Sequence, residues 1–538
     1  MIDNRVKSKE DGLYFKEQKI IDFIPKVTGF KETIIGNETK LYYDLSIYKN
    51  GEVIANITIN DLYVRNWFKL STKCPTAMLS EKHKKMIQQY LEEQVSKMDA
   101  VHEVLLDKTG WWEFGEQRVF FQKNMITWNL KDVIRSTNGN ISMIDANSFS
   151  YDMSQSKEML MQIDACAVGT SWIMYMISYL DILKYLFDKA GYPIAFVTNL
   201  YGESGRGKTS LIKAICNPIQ FSFMGRRCDN LLQRVKTYCG HTVLIDDFHP
   251  TKSQADNEKQ YRIKDTLVRM IEEVVTSPNV IISSEYLEGN FSLQDRELQI
   301  FLEREIDFSI LGQLENQKDV LEDIRTAFYV QIVTHADEIV CFIKNYCSEA
   351  DRKRNINGGA KTRSSRYVDY VDCVNRIFFK YFISVYKIDM SLHNIQEELQ
   401  VHLKLQETHM DIIRSIEQRG TYLFAVKGMI DAGILEIITD YSEYIPKMNN
   451  CYLKTKQETV MITILPKALR YGMELYLRVN KDKVPLKQII KELEEIEALI
   501  TYEKGTELTI KSYGKRCYMI DYNVLDEYCT FWKSKKYL

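Results

Sequence analysis

Apolar and polar residues alternate along two neighbouring stretches near the start of the chain. Leu41, Tyr43, Leu45 and Ile47 take every second position of one, and Val53, Ala55, Ile57 and Ile59 of the next. Asn50-Gly51 stands between them. A period of two interrupted by that turn signal predicts a β-hairpin. Ser80 is placed to cap a helix predicted over 81–98. Two more short strands are predicted over 110–114 and 118–121, and the first sets Trp111 beside Trp112. Such a pair can stack on bases, although filling the core of a small sheet is the commoner use.

Beyond about residue 150 the pattern changes. Helical spacing over 159–189 leads into the buried strand expected at 194–200. Strands over 219–223, 241–248 and 279–285 alternate with helices over 210–215, 231–238 and 263–275. That alternation predicts a mostly parallel sheet. Residues 352–366 carry many arginines and lysines around Gly358-Gly359 and read as a basic linker. Helices follow over 367–386, 392–418 and 486–496, then strands over 507–512 and 516–520. A helix followed by a hairpin is compatible with the tail of a winged-helix module. The expected division is a β-rich domain over 1–150, an α/β core over 151–350 and a helical, winged-helix-like region over 351–538.

The candidate chemistry sits between the strand at 194–200 and the helix that follows. Gly202-Glu203-Ser204-Gly205-Arg206-Gly207-Lys208-Thr209 fits the phosphate-loop pattern G-x-x-x-x-G-K-[ST] in full, and Ser210 opens the helix behind it. The glycines let successive backbone N–H groups turn inward on phosphate oxygens, and the helix adds its positive end. Lys208 is expected to reach the outer phosphates and Thr209 to hold Mg²⁺. The predicted strand at 241–248 ends in Asp246-Asp247 and looks like a Walker B strand. Asp246 is the candidate Mg²⁺ partner and Asp247 the candidate base for the attacking water, one methylene shorter than the glutamate usual there. The ligand expected is therefore ATP with Mg²⁺. His241 and His249 flank the pair, but a histidine at each end of a strand is more often structural than metal-binding.

Composition narrows the classes further. The 538 residues are 45% hydrophobic and 27% charged, as in ordinary folded proteins. A net charge of −2 supplies no global field for nucleic acid, so DNA contact would need local patches. The 11 cysteines form no C-x-x-C pair, and the start of the chain lacks an apolar core, which points to a reduced cytoplasmic setting. The uncharged stretch 165–180 falls short of the roughly 20 apolar residues that span a bilayer. No membrane association is expected.

With these motifs in order, the chain resembles the AAA+ ATPases of mobile genetic elements and phages. The nearest members are the minichromosome-maintenance-like cassette chromosome helicases. The resemblance implies a P-loop AAA+ (ASCE) core between the β-rich front and the helical tail. It implies that Ser284, or its neighbour Ser283, senses the γ-phosphate at a strand tip. It implies that Arg296, with Arg304 as competitor, acts on the nucleotide of an adjoining subunit. A trans-acting arginine implies a ring, usually a hexamer. The implied partner is single-stranded or forked DNA, with Lys252, Lys259, Arg262, Arg226, Arg227 and the 352–366 run as candidate contacts. The implied activity is a DNA helicase, translocase or replication initiator. The alternatives are a nucleotide-driven assembly switch that does not translocate and an ATP-bound scaffold that does not turn over.

Overall fold

The chain divides into two compact units, Met1–Asn147 and Ser148–Leu538. The computed structural model describes all residues except 1–4, 36–37, 64–79, 99–100, 107, 115–116, 129–132, 137–142, 223–230, 249–253, 274–276, 286, 288–289, 303–304, 357–362, 457–458, 478, 480–483, 501–509, 513–514 and 535–538.

The first unit is built from β-strands. A small sheet joins β1 (Lys7–Lys9), β2 (Gly12–Phe15) and β3 (Gln18–Ile21). The long hairpin of β4 (Ile24–Ile35) and β5 (Glu38–Lys49) continues into β6 (Glu52–Ile59). The predicted turn lies between β5 and β6, where Asn50 and Gly51 take φ of 50° and 85°, the left-handed pair that a two-residue hairpin requires. Helix α1 (Glu81–Val95) starts at Ser80, whose hydroxyl accepts from His83 N. Its Ile87 and Leu91 join Leu13, Phe23, Leu45 and Ile47 in one core. Strands β7 (Val101–Leu106), β8 (Gly110–Phe114), β9 (Gln117–Phe121), β10 (Met125–Trp128), β11 (Val133–Ser136) and β12 (Met143–Asp145) complete two larger sheets, ordered β11-β7-β4-β5-β6 and β12-β10-β9-β8. Trp111 packs against the Phe120 ring and Trp112 Nε1 donates to Lys108 O, so both indoles are used within the sheet.

The second unit opens with α2 (Ser156–Cys166), α3 (Ser171–Ser178) and α4 (Leu180–Lys189). The single helix expected over 159–189 is thus three. The chain bends by 120° between α2 and α3, at Gly169, whose φ of 79° is open to glycine at little cost. Every residue of α3 is buried. A helix apolar on all sides shows no periodicity from which a break can be read. No single helix among the described residues is long and apolar enough to cross a membrane.

The core sheet follows. Its strands are β13 (Val197–Tyr201), β14 (Ile219–Ser222), β15 (Thr242–Phe248), β16 (Asn279–Ser284) and β17 (Glu297–Phe301). All pair in parallel in the order β14-β15-β16-β13-β17. Helices α5 (Lys208–Cys216), α6 (Leu231–Lys236), α7 (Gln254–Glu273) and the short α8 (Phe291–Gln294) make the crossovers. The order reverses around β13, which puts its carboxyl end at the crevice where open parallel sheets bind ligands.

A helical layer comes next: α9 (Phe308–Asn316), α10 (Lys318–Thr334), α11 (Ala336–Ile356), α12 (Arg363–Phe378) with a π turn at Phe379–Ile383, and α13 (Ile395–Arg419). The boundary expected near 350 falls inside α11. The basic run 352–366 is the end of α11 and the start of α12 rather than a linker, apart from 357–362, which lie outside the described residues. The tail comprises α14 (Leu423–Asp431), β18 (Glu436–Ile438), β19 (Asn450–Lys456), β20 (Thr459–Ile464), α15 (Pro466–Leu477), α16 (Leu486–Glu495), β21 (Ile510–Ser512), β22 (Lys515–Asp521) and α17 (Tyr522–Ser534). Its helices pack Val426, Leu469, Met473, Ile489 and Leu525 against Ile462 and Ile520 of the sheet.

Helix α13 covers the free edge of β17 with side chains instead of a further strand. Gln406 Oε1 accepts from Gln299 N at 3.2 Å, and its Nε2 donates to Glu297 O at 2.7 Å and Gln294 O at 3.3 Å. His402 Nδ1 takes Phe301 N at 3.3 Å. His409 lies between Gln294 Oε1 and Leu477 O, at 2.9 and 2.7 Å, and so links the core to the end of α15. An otherwise open sheet edge is satisfied in this way.

Candidate active site

The phosphate loop occupies the expected place, between the buried strand β13 and α5. Gly205 and Gly207 take φ of 77° and 81°. A side chain at Gly207 would meet the Phe308 ring at 3.1 Å and Ile306 Cδ1 at 3.2 Å, so strain and space both demand glycine there. Lys208 Nζ donates to Gly202 O and Glu203 O at 2.8 and 2.7 Å. Burial pulls its pKa below the usual lysine value, opposed by the charges of Glu285 and Asp246. Glu203 pairs with Arg206 within the loop at 2.6 Å, and Ser204 is exposed at its tip.

Thr209, Asp246 and Gln220 meet on one side of the sheet. Thr209 Oγ1 donates to Asp246 Oδ1 at 2.7 Å and lies 3.4 Å from Ser283 Oγ. Gln220 Nε2 donates to the second oxygen, Asp246 Oδ2, at 3.1 Å. Asp246 is thus oriented through both oxygens. Among the described residues no three His, Cys, Asp or Glu side chains converge as a metal cage. A lone carboxylate beside a hydroxyl and a phosphate loop suits Mg²⁺, which keeps waters and takes phosphate oxygens for most of its shell.

The other expected residues are placed as follows. The side chain of Asp247 lies outside the described residues, as do Arg226, Arg227, His249, Lys252, Arg304 and the side chain of Lys259. Ser284 is not brought to the cluster. Successive strand residues face opposite sides, so with Ser283 beside Thr209 the Ser284 hydroxyl points the other way, onto Asn199 Oδ1 at 2.7 Å. Arg296 Nε pairs with Glu272 of α7 at 2.6 Å rather than with Asp295 or Glu297, and its NH1 donates to Ser292 Oγ at 2.7 Å. Arg363 meets the same Glu272 at 2.6 Å. Burial opposes ionisation of Glu272, but Arg296 and Arg363 outweigh it and hold the carboxyl below its usual range.

The basic run is largely taken up by its own chain. Lys353 pairs with Glu349, Arg354 with Asp351 and Asp369, Arg363 with Glu272, and Arg366 with Asp351. Arg262 is exposed on α7. Two groups escaped the sequence reading. Gln220 stands on a neighbouring strand and carries no motif of its own. Glu285 directly follows Ser283-Ser284, and its charge reaches Lys208.

Residues 198–289 match the family model described as ATPase family associated with various cellular activities, AAA. The core is an AAA ATPase domain. An AAA domain binds and hydrolyses ATP, and the match spans the phosphate loop, Asp246-Asp247 and Ser283-Ser284-Glu285. No curated protein matches the chain. Among solved structures the chain is similar to SCCmec type IV Cch, titled an active helicase, at 12% identity and a TM-score of 0.45, covering 98% of this chain and 99% of that one. It is also similar to the C-terminal region of NrS-1, at 12% identity and a TM-score of 0.25, covering 89% of this chain and 94% of that one.

Proposed function

We propose that the AAA domain drives a DNA helicase or translocase, or a replication initiator of a mobile element, working as a ring with ATP between subunits. The observation that carries the ATPase part is the Thr209–Asp246–Ser283 cluster beside Lys208. Thr209 and Asp246 are the residues to hold Mg²⁺, which supplies charge neutralisation at the transferring phosphoryl group. Lys208 exchanges its two backbone carbonyls for phosphate oxygens. Ser283 lies where it can hold the terminal phosphate or the attacking water. Asp247 is the proposed base.

What favours a motor is the attachment of the tail. Gln406 and His402 couple α13 to β17, and His409 ties α13 and α15 to Gln294 at the end of α8 just before it. The far end of β17 hands Leu302 N to Tyr201 O just before the phosphate loop. A change at the nucleotide thus has a hydrogen-bonded route to a module outside the core. The alternative is a nucleotide-driven assembly switch without translocation. It is favoured by Arg296, whose guanidinium is held by Glu272 of its own chain and must be released before it serves a neighbour.

Steady-state ATP hydrolysis with and without single-stranded DNA separates the two, with Lys208→Ala as control. DNA stimulation lost in Lys208→Ala is the expected result. Lys208-dependent turnover indifferent to DNA refutes the motor and leaves the switch. Nucleotide binding without turnover leaves the scaffold.

A further inference from the structure

On the face of the core sheet opposite Ser283, four buried polar side chains stand in a row. Lys264 Nζ of α7 lies 2.7 Å from Glu297 Oε1 at the start of β17. Glu297 Oε2 accepts from Asn199 Nδ2 of β13 at 3.1 Å. Asn199 Oδ1 accepts from the Ser284 hydroxyl at the tip of β16 at 2.7 Å. The side chains of Lys264 and Glu297 are both 0% exposed.

Stability alone accounts poorly for this arrangement. Taking two charges out of water costs free energy that their attraction only partly offsets, and an apolar pair of similar volume often serves as well. The row does achieve alignment. It joins the strand that carries the phosphate loop, the strand that carries Ser283, the edge strand and the helix that follows Asp246-Asp247. Its last member is the residue next to Ser283. With Ser284 fixed from below, the strand tip is fixed, and so is the direction of the Ser283 hydroxyl toward Thr209 above.

We propose that Ser284, Asn199, Glu297 and Lys264 are positioning residues that set Ser283 against the Thr209–Asp246 pair. The row then governs the rate of hydrolysis and leaves the affinity of the phosphate loop unchanged. This rests on reading the site as an ATPase.

The test compares Ser284→Ala, Ser284→Thr and the paired variant Lys264→Met/Glu297→Leu with the wild type. Removing both charges together avoids stranding one of them, which guards against a variant that fails only by unfolding. Ser284→Ala and the paired variant are expected to lose about tenfold in kcat, the scale of one lost aligning hydrogen bond. Nucleotide affinity measured in EDTA stays within about twofold of wild type. Ser284→Thr keeps the hydroxyl and restores most of the rate. Wild-type kcat in both Ser284→Ala and the paired variant overturns the proposal. So does a loss of kcat that merely follows the folded fraction. If the wild type itself does not turn over, it is the ATPase reading that fails. The row is then tested by the gain in nucleotide affinity on adding Mg²⁺: a smaller gain in Ser284→Ala supports it, and an unchanged gain overturns it.

Discussion

Replacing Gln220 by leucine tests the assignment of the metal-binding end most directly. Gln220 extends from β14, the strand that follows the phosphate-loop helix in sequence and pairs with β15, and it bonds Asp246 Oδ2 at 3.1 Å. Thr209 holds the other oxygen at 2.7 Å. Leucine has nearly the same volume but cannot donate. Hydrogen bonds to charged groups contribute about 1.5–3 kcal/mol. Gln220 is exposed, which favours the lower end, and about 1.4 kcal/mol is a factor of ten. Gln220→Leu should therefore raise the Mg²⁺ concentration for half-maximal ATP turnover about tenfold. Nucleotide binding in EDTA should be unchanged, because Lys208 and the loop backbone are untouched. The assay is a Mg²⁺ titration of turnover at fixed ATP. A half-saturation point within about twofold of wild type would show that Asp246 needs no help from β14. Equal loss of binding in EDTA would show that the strand itself is disturbed.

Three further outcomes are expected. Lys184, buried and donating to Ser277 Oγ and Pro278 O, has its pKa pulled down to about 7 by burial; folding then releases a proton, so its stability cost grows as pH falls from the usual lysine range toward 7, and Lys184→Met should flatten the rise in stability between about pH 7 and 8.5, roughly 2 kcal/mol, in denaturant melts. Arg296→Ala mixed with Asp246→Asn subunits should regain turnover that neither has alone if the arginine serves a neighbour, and a mixture as inactive as its parts refutes that role. Gln406→Leu strips the bonds from Gln299 N, Glu297 O and Gln294 O and should cost about 1–3 kcal/mol by unfolding, whereas an unchanged transition means that α13 is not what secures β17.

Local motifs were legible because their physics is local. The phosphate loop needs left-handed glycines at fixed offsets, and Asn50-Gly51 needs two positive φ angles, so each announces itself in a few residues. Four of the five core strands, β13 to β16, were legible because a sheet buried on both faces leaves continuous apolar runs, whereas Glu297 and Gln299 break that run in β17. Three kinds of feature were not. The bend at Gly169 hides in a stretch buried all round. The partners of Arg296 and Arg363 lie far along the chain at Glu272, and no spacing rule connects them. The strands β18 to β20, with helix α15 behind them, give only weak local signals. In β20, Val460, Ile462 and Ile464 do alternate with Thr459 and Thr463, but over only six residues and with no glycine turn signal before them.

The choice between Ser283 and Ser284 shows where sequence reasoning stops and register begins. The resemblance placed a polar residue at the tip of the strand beside Asp246, and two serines fit that description equally. A β-strand gives its neighbours to opposite faces, so one of the two must turn from the nucleotide whichever way the strand lies. Pairing decides which. Ile282 lies opposite Asn199, and Ser284 opposite Tyr201, so Ser284 shares the Asn199 side and Ser283 the other. A shift of one residue in that pairing would exchange them, setting Ser284 against the Thr209–Asp246 pair and Ser283 against Asn199. The buried line from Ser284 to Lys264 is built on the one register that avoids this. The serine that does not face the nucleotide is thereby tied to the alignment of the one that does.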